Sequence, residues 1–141
     1  GADALGAGVE IKDFGAYLPL HQNRPLGLLY AENAKRIAGE ENVIDLINLV
    51  RGSSTDAGDL ASVKPVIHPN FSGAAGSAHT TDFDIADEYM AYVQPAKVAA
   101  MTAIDLLYDG AKEGRRIAES FIPTFKSKDE YCAFLDRLQE E

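Results

Sequence analysis

The chain has 141 residues, of which 46% are hydrophobic and 25% charged, and its formal net charge at pH 7 is −9. This size and composition are typical of one globular domain, and no apolar run reaches the ~20 residues of a membrane-spanning helix. Its acidity argues against a nucleic-acid partner, because a negative surface repels phosphate backbones. Cys132 is the single cysteine and cannot form an intrachain disulfide, so we expect a reducing, cytoplasmic location.

The N-terminal third contains one predicted strand and one predicted helix. The segment "VEIKDF" (residues 9–14) alternates apolar and polar side chains, a pattern that predicts a half-buried strand. Further on, Asn23 is a favourable N-cap residue and Pro25 suits a first helical turn. Apolar residues then recur at helical spacing as far as Gly39, which is expected to end the helix as a left-handed cap.

The middle of the chain is rich in short apolar segments. Both "NVIDLINLV" (residues 42–50) and "PVIHPNF" (residues 65–71) predict buried strands. The turn "RGSSTDAGD" lies between them, followed by a short predicted helix over residues 57–63 with Thr55 or Asp56 as its cap.

The C-terminal part is predicted to be helical. Residues 98–107 are apolar nearly all round, which predicts burial against a sheet, and Pro95 should kink this helix or mark a restart. Ser127 and Glu130 form a capping box for a last helix over residues 128–139. Because strands alternate with helices and the central strands are apolar, we expect an α/β architecture with at least a partly parallel sheet.

The turn "RGSSTDAGD" is a candidate anion site. A strand end, small residues and a helix start coincide there, so backbone N–H groups and hydroxyls could face an anion at the helix N-terminus. Ligands also bind at such places in open α/β sheets. The alternative is an ordinary capped turn, in which Thr55 or Asp56 only satisfies helix donors.

Three histidines are the other candidates for chemistry. His21 lies in a polar loop, which predicts a surface position, and His68 lies inside a predicted strand, which favours a structural role. His79 follows a run of very small residues that allow the backbone to approach a ligand closely. Asp82 and Asp84 could orient its imidazole.

A complete metal site does not follow from these residues. Zinc usually takes three or four protein ligands, and two-metal hydrolytic sites need more. One loop histidine with nearby carboxylates does not supply such a set, so a ligand role and a structural role for His79 both stay open on composition alone.

Three stretches together resemble a known family: "VEIKDFGAYLPL", "GSSTDAGDLASVKPVIHP" and "GSAHTTDFDIADEYMAYVQPAKVAAMTAIDLL". They are similar to the C-terminal portion of M20-family metallopeptidases and amidohydrolases, in the branch of aminobenzoyl-glutamate hydrolase-like proteins. The resemblance covers about residues 1–110. It implies metal-dependent hydrolysis of an amide bond in a small N-acyl amino acid or dipeptide, with zinc or manganese as cofactor.

The resemblance also implies a fold and a set of site residues. The fold would be part of a three-layer α/β/α catalytic domain with a mostly parallel sheet, preceded by the last strand of an inserted lid domain. Residues 1–14 would end the lid or dimerisation domain, and residues 15–141 would be the C-terminal part of the catalytic domain. His79 would be the family's last metal ligand, and the substrate pocket would be bordered by Gly52, Ser53, Ser54, Thr55 and Asp56.

The departures from the family pattern define what we expect of this chain. The family's HxD segment, bridging aspartate and glutamate pair lie N-terminal to the resembling region, and no HxD occurs here. We therefore expect the last third of such an enzyme, with no catalytic residue of its own, no stably bound metal and no activity in isolation. We also expect self-association through exposed strand edges, including residues 9–14. The alternative is a non-catalytic α/β domain for interaction or anion binding.

Overall fold

The computed structural model describes residues 1–12, 17–45 and 55–140. Of these residues, 56% are helical and 3% lie in strands. The regular elements are α1 (Arg24–Ala38), α2 (Ala57–Ala61), β1 (Ala74–Ala75), β2 (Asp84–Ile85), α3 (Gln94–Ser120) and α4 (Lys128–Glu140). Short 3₁₀ turns occupy Asp3–Leu5 and Glu40–Asn42, and a π-helical turn, Tyr89–Val93, leads directly into α3.

Helix α1 begins and ends where the sequence predicts. The Asn23 side chain accepts a hydrogen bond from the Leu26 N–H at 3.0 Å, and Pro25 lies in the first turn. At the other end Gly39 adopts φ 93° and ψ 146°, which is a positive-φ conformation but not the predicted left-handed helical one, and its N–H donates to the Lys35 carbonyl at 2.9 Å. Both ends of α1 are therefore set by local side-chain and backbone chemistry.

Helix α3 restarts at Pro95 and breaks once more. Proline has no N–H to donate, and the regular α-helix begins one residue before it, after the π-helical turn. The predicted restart thus takes the form of a change from π- to α-helical hydrogen bonding, while Val93 and Gln94 keep helical dihedral angles. Further along, residues 108–111 leave helical dihedral angles, with φ of 50° at Asp109, 65° at Gly110 and 61° at Ala111. α3 therefore consists of two helical segments joined at this break.

The main helix–helix contact joins α1 to the first segment of α3. Ala34 of α1 and Val98 of α3 are buried. Asn33, which is only 1% exposed, donates through Nδ2 to Thr102 Oγ1 at 3.3 Å and to Asp105 Oδ2 at 2.7 Å. Thr102 and Asp105 of α3 thus face α1, where they form a hydrogen-bonded network with Asn33.

Helix α2 links the N-terminal segment to the end of the chain. Gly58 is buried against the backbone of Leu18, where a Cβ atom would collide with the Leu18 carbonyl. The Leu18 N–H in turn donates to Asp59 Oδ1 at 3.1 Å. Beyond the helix, the Ser62 carbonyl accepts a hydrogen bond from the Thr124 N–H at 2.7 Å. These contacts hold residues 17–20, α2 and the segment before α4 together.

Helix α4 has the predicted capping residues. The Glu130 N–H donates to Ser127 Oγ at 3.1 Å. The Glu130 carboxylate reaches back to the Lys126 N–H at 2.7 Å, one residue before the cap. Phe125 packs on Phe134 with ring centroids 5.2 Å apart. The reciprocal pair satisfies two free N–H donors, as a capping box does.

The predicted fold class is wrong. In place of a three-layer α/β/α domain with a mostly parallel sheet, the described residues contain one two-stranded antiparallel sheet, in which Ala74 pairs with Ile85 and Ala75 with Asp84. Residues 65–71 form no strand. Two prolines there lack N–H donors, and the His68 N–H bonds the Gln22 side chain at 2.9 Å.

The two other predicted strands lie only partly within the described residues. Residues 9–12, the described part of the predicted lid strand, are exposed and have no strand conformation. Of the predicted strand over residues 42–50, residues 46–50 lie outside the described residues, and residues 43–45 have no strand conformation. The division into a lid end over residues 1–14 and a catalytic part over residues 15–141 stays a prediction.

The expectation that residues 98–107 are buried against a sheet is also wrong. Val98 and Thr102 are buried, but Ile104 and Leu107 are 63% and 70% exposed.

None of the helices in the described parts of the chain is long and apolar enough to cross a membrane.

Candidate functional site around His79

His79 lies in the loop that joins β1 to β2. Its backbone adopts φ 65°, and its side chain is exposed. Positive φ is uncommon for residues other than glycine, although histidine tolerates it better than most. The loop therefore holds His79 in a specific backbone conformation, with the imidazole accessible from outside.

The base of this hairpin is fixed to the start of the following helix. Gly73 is buried with φ 111°, and its carbonyl accepts hydrogen bonds from the N–H groups of Ala86 at 2.8 Å and Asp87 at 2.9 Å. A Cβ atom at Gly73 would lie 2.6 Å from the Ala91 nitrogen. The small residues predicted to allow a close approach do so, but the group approached here is backbone of the same chain.

The tip of the hairpin is stabilised by a short polar network. The Thr80 hydroxyl lies 2.6 Å from the Ser77 carbonyl and also contacts an Asp82 carboxylate oxygen. The hydrogen bond from Thr80 is the main cause that lowers the pKa of Asp82 below its ordinary value of 3.8. Gly76, with φ 77°, passes so close to the Asp82 carbonyl that a side chain would collide with it. Asp82 is thus engaged with the loop itself.

The remaining loop carboxylates also bond backbone groups. Asp84 Oδ1 accepts from the Ile85 N–H at 2.8 Å, and Asp87 Oδ1 accepts from the Met90 N–H at 2.9 Å, at the start of the π-helical turn. Within the described residues, no hydrogen bond joins Asp82 or Asp84 to the His79 ring. The structure therefore does not bring these predicted orienting partners onto the imidazole.

The described residues do not form a complete metal site. Across residues 1–12, 17–45 and 55–140, no group of three or more His, Cys, Asp or Glu side chains could hold a metal ion. An exposed imidazole suits zinc or manganese as a single ligand. The described residues thus fit one ligand position, and they do not fit a whole zinc or manganese centre by themselves.

The predicted anion site is described only in part. Gly52, Ser53 and Ser54 lie outside the described residues. Thr55 Oγ1 accepts from the Ala57 N–H at 3.3 Å, and Asp56, at the N-cap position of α2, makes no side-chain capping hydrogen bond. The Thr55 contact matches the alternative of an ordinary capped turn.

A cleft that sequence reasoning missed lies between α1 and the second segment of α3. It encloses about 400 Å³, and Arg116 on its rim pairs with Glu113, with nitrogen–oxygen distances of 2.8 and 2.5 Å. Neither His79 nor Thr55 lines it; the lining residues are Arg24, Pro25, Leu28, Leu29, Glu32, Glu113 and Arg116. Only the packing of α1 on α3 brings these residues together, so no local pattern could have revealed the cleft.

The other two histidines are also exposed, so exposure does not distinguish His79 from His21 and His68. What distinguishes His79 is its backbone: it alone of the three has a positive φ.

Comparisons of this chain with known protein families, with curated proteins and with solved structures found no match. The resemblance described above therefore rests on its three sequence stretches.

Proposed function

We propose that this chain is the C-terminal segment of a metal-dependent amide hydrolase and that it supplies His79 as one ligand of the metal site. The observation that supports the proposal best is the exposed imidazole on a hairpin whose base is fixed by buried Gly73. A ligand must be held in place, because metal centres depend on oriented donors. The hairpin fixes the backbone of His79, and the groups that orient the ring would come with the remaining ligands.

The chemistry follows from the ligand type. Zinc or manganese, when bound, supplies a water activated for attack on the amide carbonyl. His79 would coordinate as a neutral imidazole, and the positive φ at His79 would fix the direction of its side chain. The remaining ligands would come from outside these residues, and the substrate would be a small N-acyl amino acid or dipeptide. Beside that substrate we place Gly52, Ser53, Ser54, Thr55 and Asp56.

The test is a hydrolysis assay on the protein as its gene encodes it, with a panel of N-acyl amino acids in the presence of Zn²⁺ or Mn²⁺. His79→Ala should lower kcat/KM by at least about 100-fold, because loss of groups that merely support a metal ligand already costs 10- to 100-fold. Metal content, measured on the same purified samples by elemental analysis, should fall in parallel.

His21→Ala is the matched control, since His21 is also an exposed histidine and undergoes the same substitution. It should leave activity and metal content unchanged. Absence of metal-dependent amide hydrolysis in the unmodified protein, or full activity in His79→Ala, would contradict the proposal.

An assembly role is the second candidate. It is supported by the N-terminal segment, where the apolar side chains of Leu5, Val9 and Ile11 are all strongly exposed. Clustered apolar groups that are exposed to solvent tend to be covered by a partner. Light scattering on Val9→Glu and Ile11→Glu variants would test whether this segment drives self-association.

A further inference from the structure

The break within α3, residues 108–111, is built from backbone conformations that an α-helix does not contain. Asp109, Gly110 and Ala111 are three successive residues with left-handed dihedral angles, and Tyr108 before them has a ψ of 156°. Residues with a side chain ordinarily visit the left-handed region singly, and Asp tolerates it better than most. Ala111 is therefore strained, because alanine has a Cβ atom and the highest helix propensity of all residues.

The bend also depends on a glycine beyond the break. Gly114 lies against the Leu106 carbonyl, and a Cβ atom at Gly114 would come within 2.7 Å of that oxygen. In a continuous helix the same two residues would be separated by about 12 Å along the axis. The two segments of α3 can therefore approach each other this closely only because position 114 has no side chain.

The second segment is held in its bent position by burial of Ile117 and by hydrogen bonds at its two ends. Ile117 is 3% exposed. The Arg115 guanidinium donates to the Gly110 carbonyl, and the Thr124 N–H donates to the Ser62 carbonyl at 2.7 Å. Packing against α1 is incomplete, however, because the cleft of about 400 Å³ lies between α1 and this segment. Strain at the break thus acts against these contacts.

We propose that residues 108–111 are a hinge, at which α3 changes between the bent form and a straight form with one continuous helix over residues 94–120. Straightening returns the left-handed residues to helical dihedral angles and relieves their strain. It also withdraws Ile117 and the Thr124 N–H from their contacts, so residues 112–140 move away from α1 and the cleft opens. Because relief of strain and loss of contacts oppose each other, both forms are accessible to the folded chain.

Two glycines distinguish the bent form from the straight form. Gly110→Ala places alanine at a φ of 65° in the bent form, and Gly114→Ala places a Cβ atom against the Leu106 carbonyl. In the straight form both positions lie inside a helix, where alanine is favoured over glycine. Together the two substitutions should raise the ratio of straight to bent form at least about 100-fold.

Ala111→Gly should act in the opposite direction. Glycine relieves the strain of the bent form and is a poorer helix former in the straight form. The ratio of straight to bent form should therefore fall about tenfold or more.

The experiment is double electron–electron resonance on the 141-residue chain, with nitroxide labels on Ala96→Cys and Ala118→Cys, two exposed positions on the two segments. Cys132→Ser removes the single natural cysteine. The two labelled Cα atoms are about 33 Å apart in the straight form and less than about 27 Å apart in the bent form. This chain should give the shorter distance as its main population. Adding Gly110→Ala and Gly114→Ala should produce a second distance near the longer value and raise the helix content measured by circular dichroism.

Gly8→Ala is the matched control, since it makes the same substitution at a glycine where an added Cβ atom meets nothing within 4 Å. It should leave the distances unchanged. The proposal is overturned if the variant with both alanines keeps only the shorter distance, which would show that the break is rigid. Loss of helix content in that variant would also overturn it, because straightening adds helical residues. So would a larger population of the longer distance in Ala111→Gly.

Discussion

At the scale of single residues, the hairpin depends on backbone conformations that few side chains tolerate. Gly73 needs its positive φ and has no room for a side chain beside the Ala91 nitrogen. His79 shares the positive φ but points into open surroundings. Glycine at position 73 is therefore required by the fold, whereas histidine at position 79 is not, and this difference supports a role for the imidazole itself.

Two substitutions in this hairpin should differ in their effect on the free energy of unfolding. His79→Gly removes the strain of a left-handed backbone conformation, about 1–2 kcal/mol in the folded state. Glycine also raises the conformational entropy of the unfolded chain, which costs about 1 kcal/mol of stability. Because the two effects oppose each other, the free energy of unfolding should change by less than about 1 kcal/mol. Gly73→Ala should lower the free energy of unfolding by about 2 kcal/mol or more, because a positive φ is strained for alanine and a Cβ atom has no room there. Urea unfolding followed by circular dichroism measures both. A loss above about 2 kcal/mol for His79→Gly would show that the imidazole has a structural role.

At the scale of elements, helix ends are decided by neighbours in sequence. The Asn23 side chain satisfies the Leu26 N–H, Gly39 turns the chain out of α1, and Ser127 caps α4. Each of these was predictable, because capping uses atoms within a few residues. The break at residues 108–111 has positive φ at Asp109 and Ala111 as well as at Gly110, which propensity does not indicate.

The cap of α1 should be measurable on its own. Asn23→Ala leaves the Leu26 N–H without its side-chain acceptor and should destabilise the chain by about 1 kcal/mol. Asn23→Ser keeps a capping oxygen and should cost little. Thermal unfolding of the two variants at equal protein concentration gives the difference between their stabilities. An equal loss in both would mean that the asparagine acts through another contact.

At the scale of the whole molecule, α1 and α3 are held together by a small core and a buried polar network. Asn33 is nearly inaccessible to solvent, and its amide bonds both Thr102 and Asp105. A buried polar group is costly unless it is bonded, so this network favours one register of α1 against α3.

Removing the Asn33 amide, the donor of this network, should show how much the network contributes to the free energy of unfolding. Asn33→Ala should destabilise the chain by about 2–3 kcal/mol, because Asp105 loses its partner as well. In a double-mutant cycle with Asp105→Ala, the combined loss should fall short of the sum by about 1 kcal/mol or more. Asn42→Ala, at an exposed asparagine, is the control and should change stability by less than about 0.5 kcal/mol. Strict additivity of Asn33→Ala and Asp105→Ala would show that the two residues act independently.

The sequence singled out His79 but not the contacts of its loop. The small residues before it were predicted to let the backbone approach a ligand, whereas Gly73 and Gly76 approach backbone of the same chain. The pairing of Ala74 with Ile85, and the engagement of Asp82 with Thr80 rather than with the imidazole, depend on how the loop folds back. Neither follows from spacing along the chain.

By itself, the sequence determined the ends of α1, the restart at Pro95 and the cap of α4, because each depends on atoms a few residues apart. Only the tertiary structure decided that residues 65–71 form no strand and that Thr102 and Asp105 of α3 face α1. An apolar segment becomes a strand only when another backbone pairs with it, and a helix buries whichever face its neighbour can satisfy. For α3 that neighbour is α1, where Asn33 supplies the donor for Thr102 and Asp105.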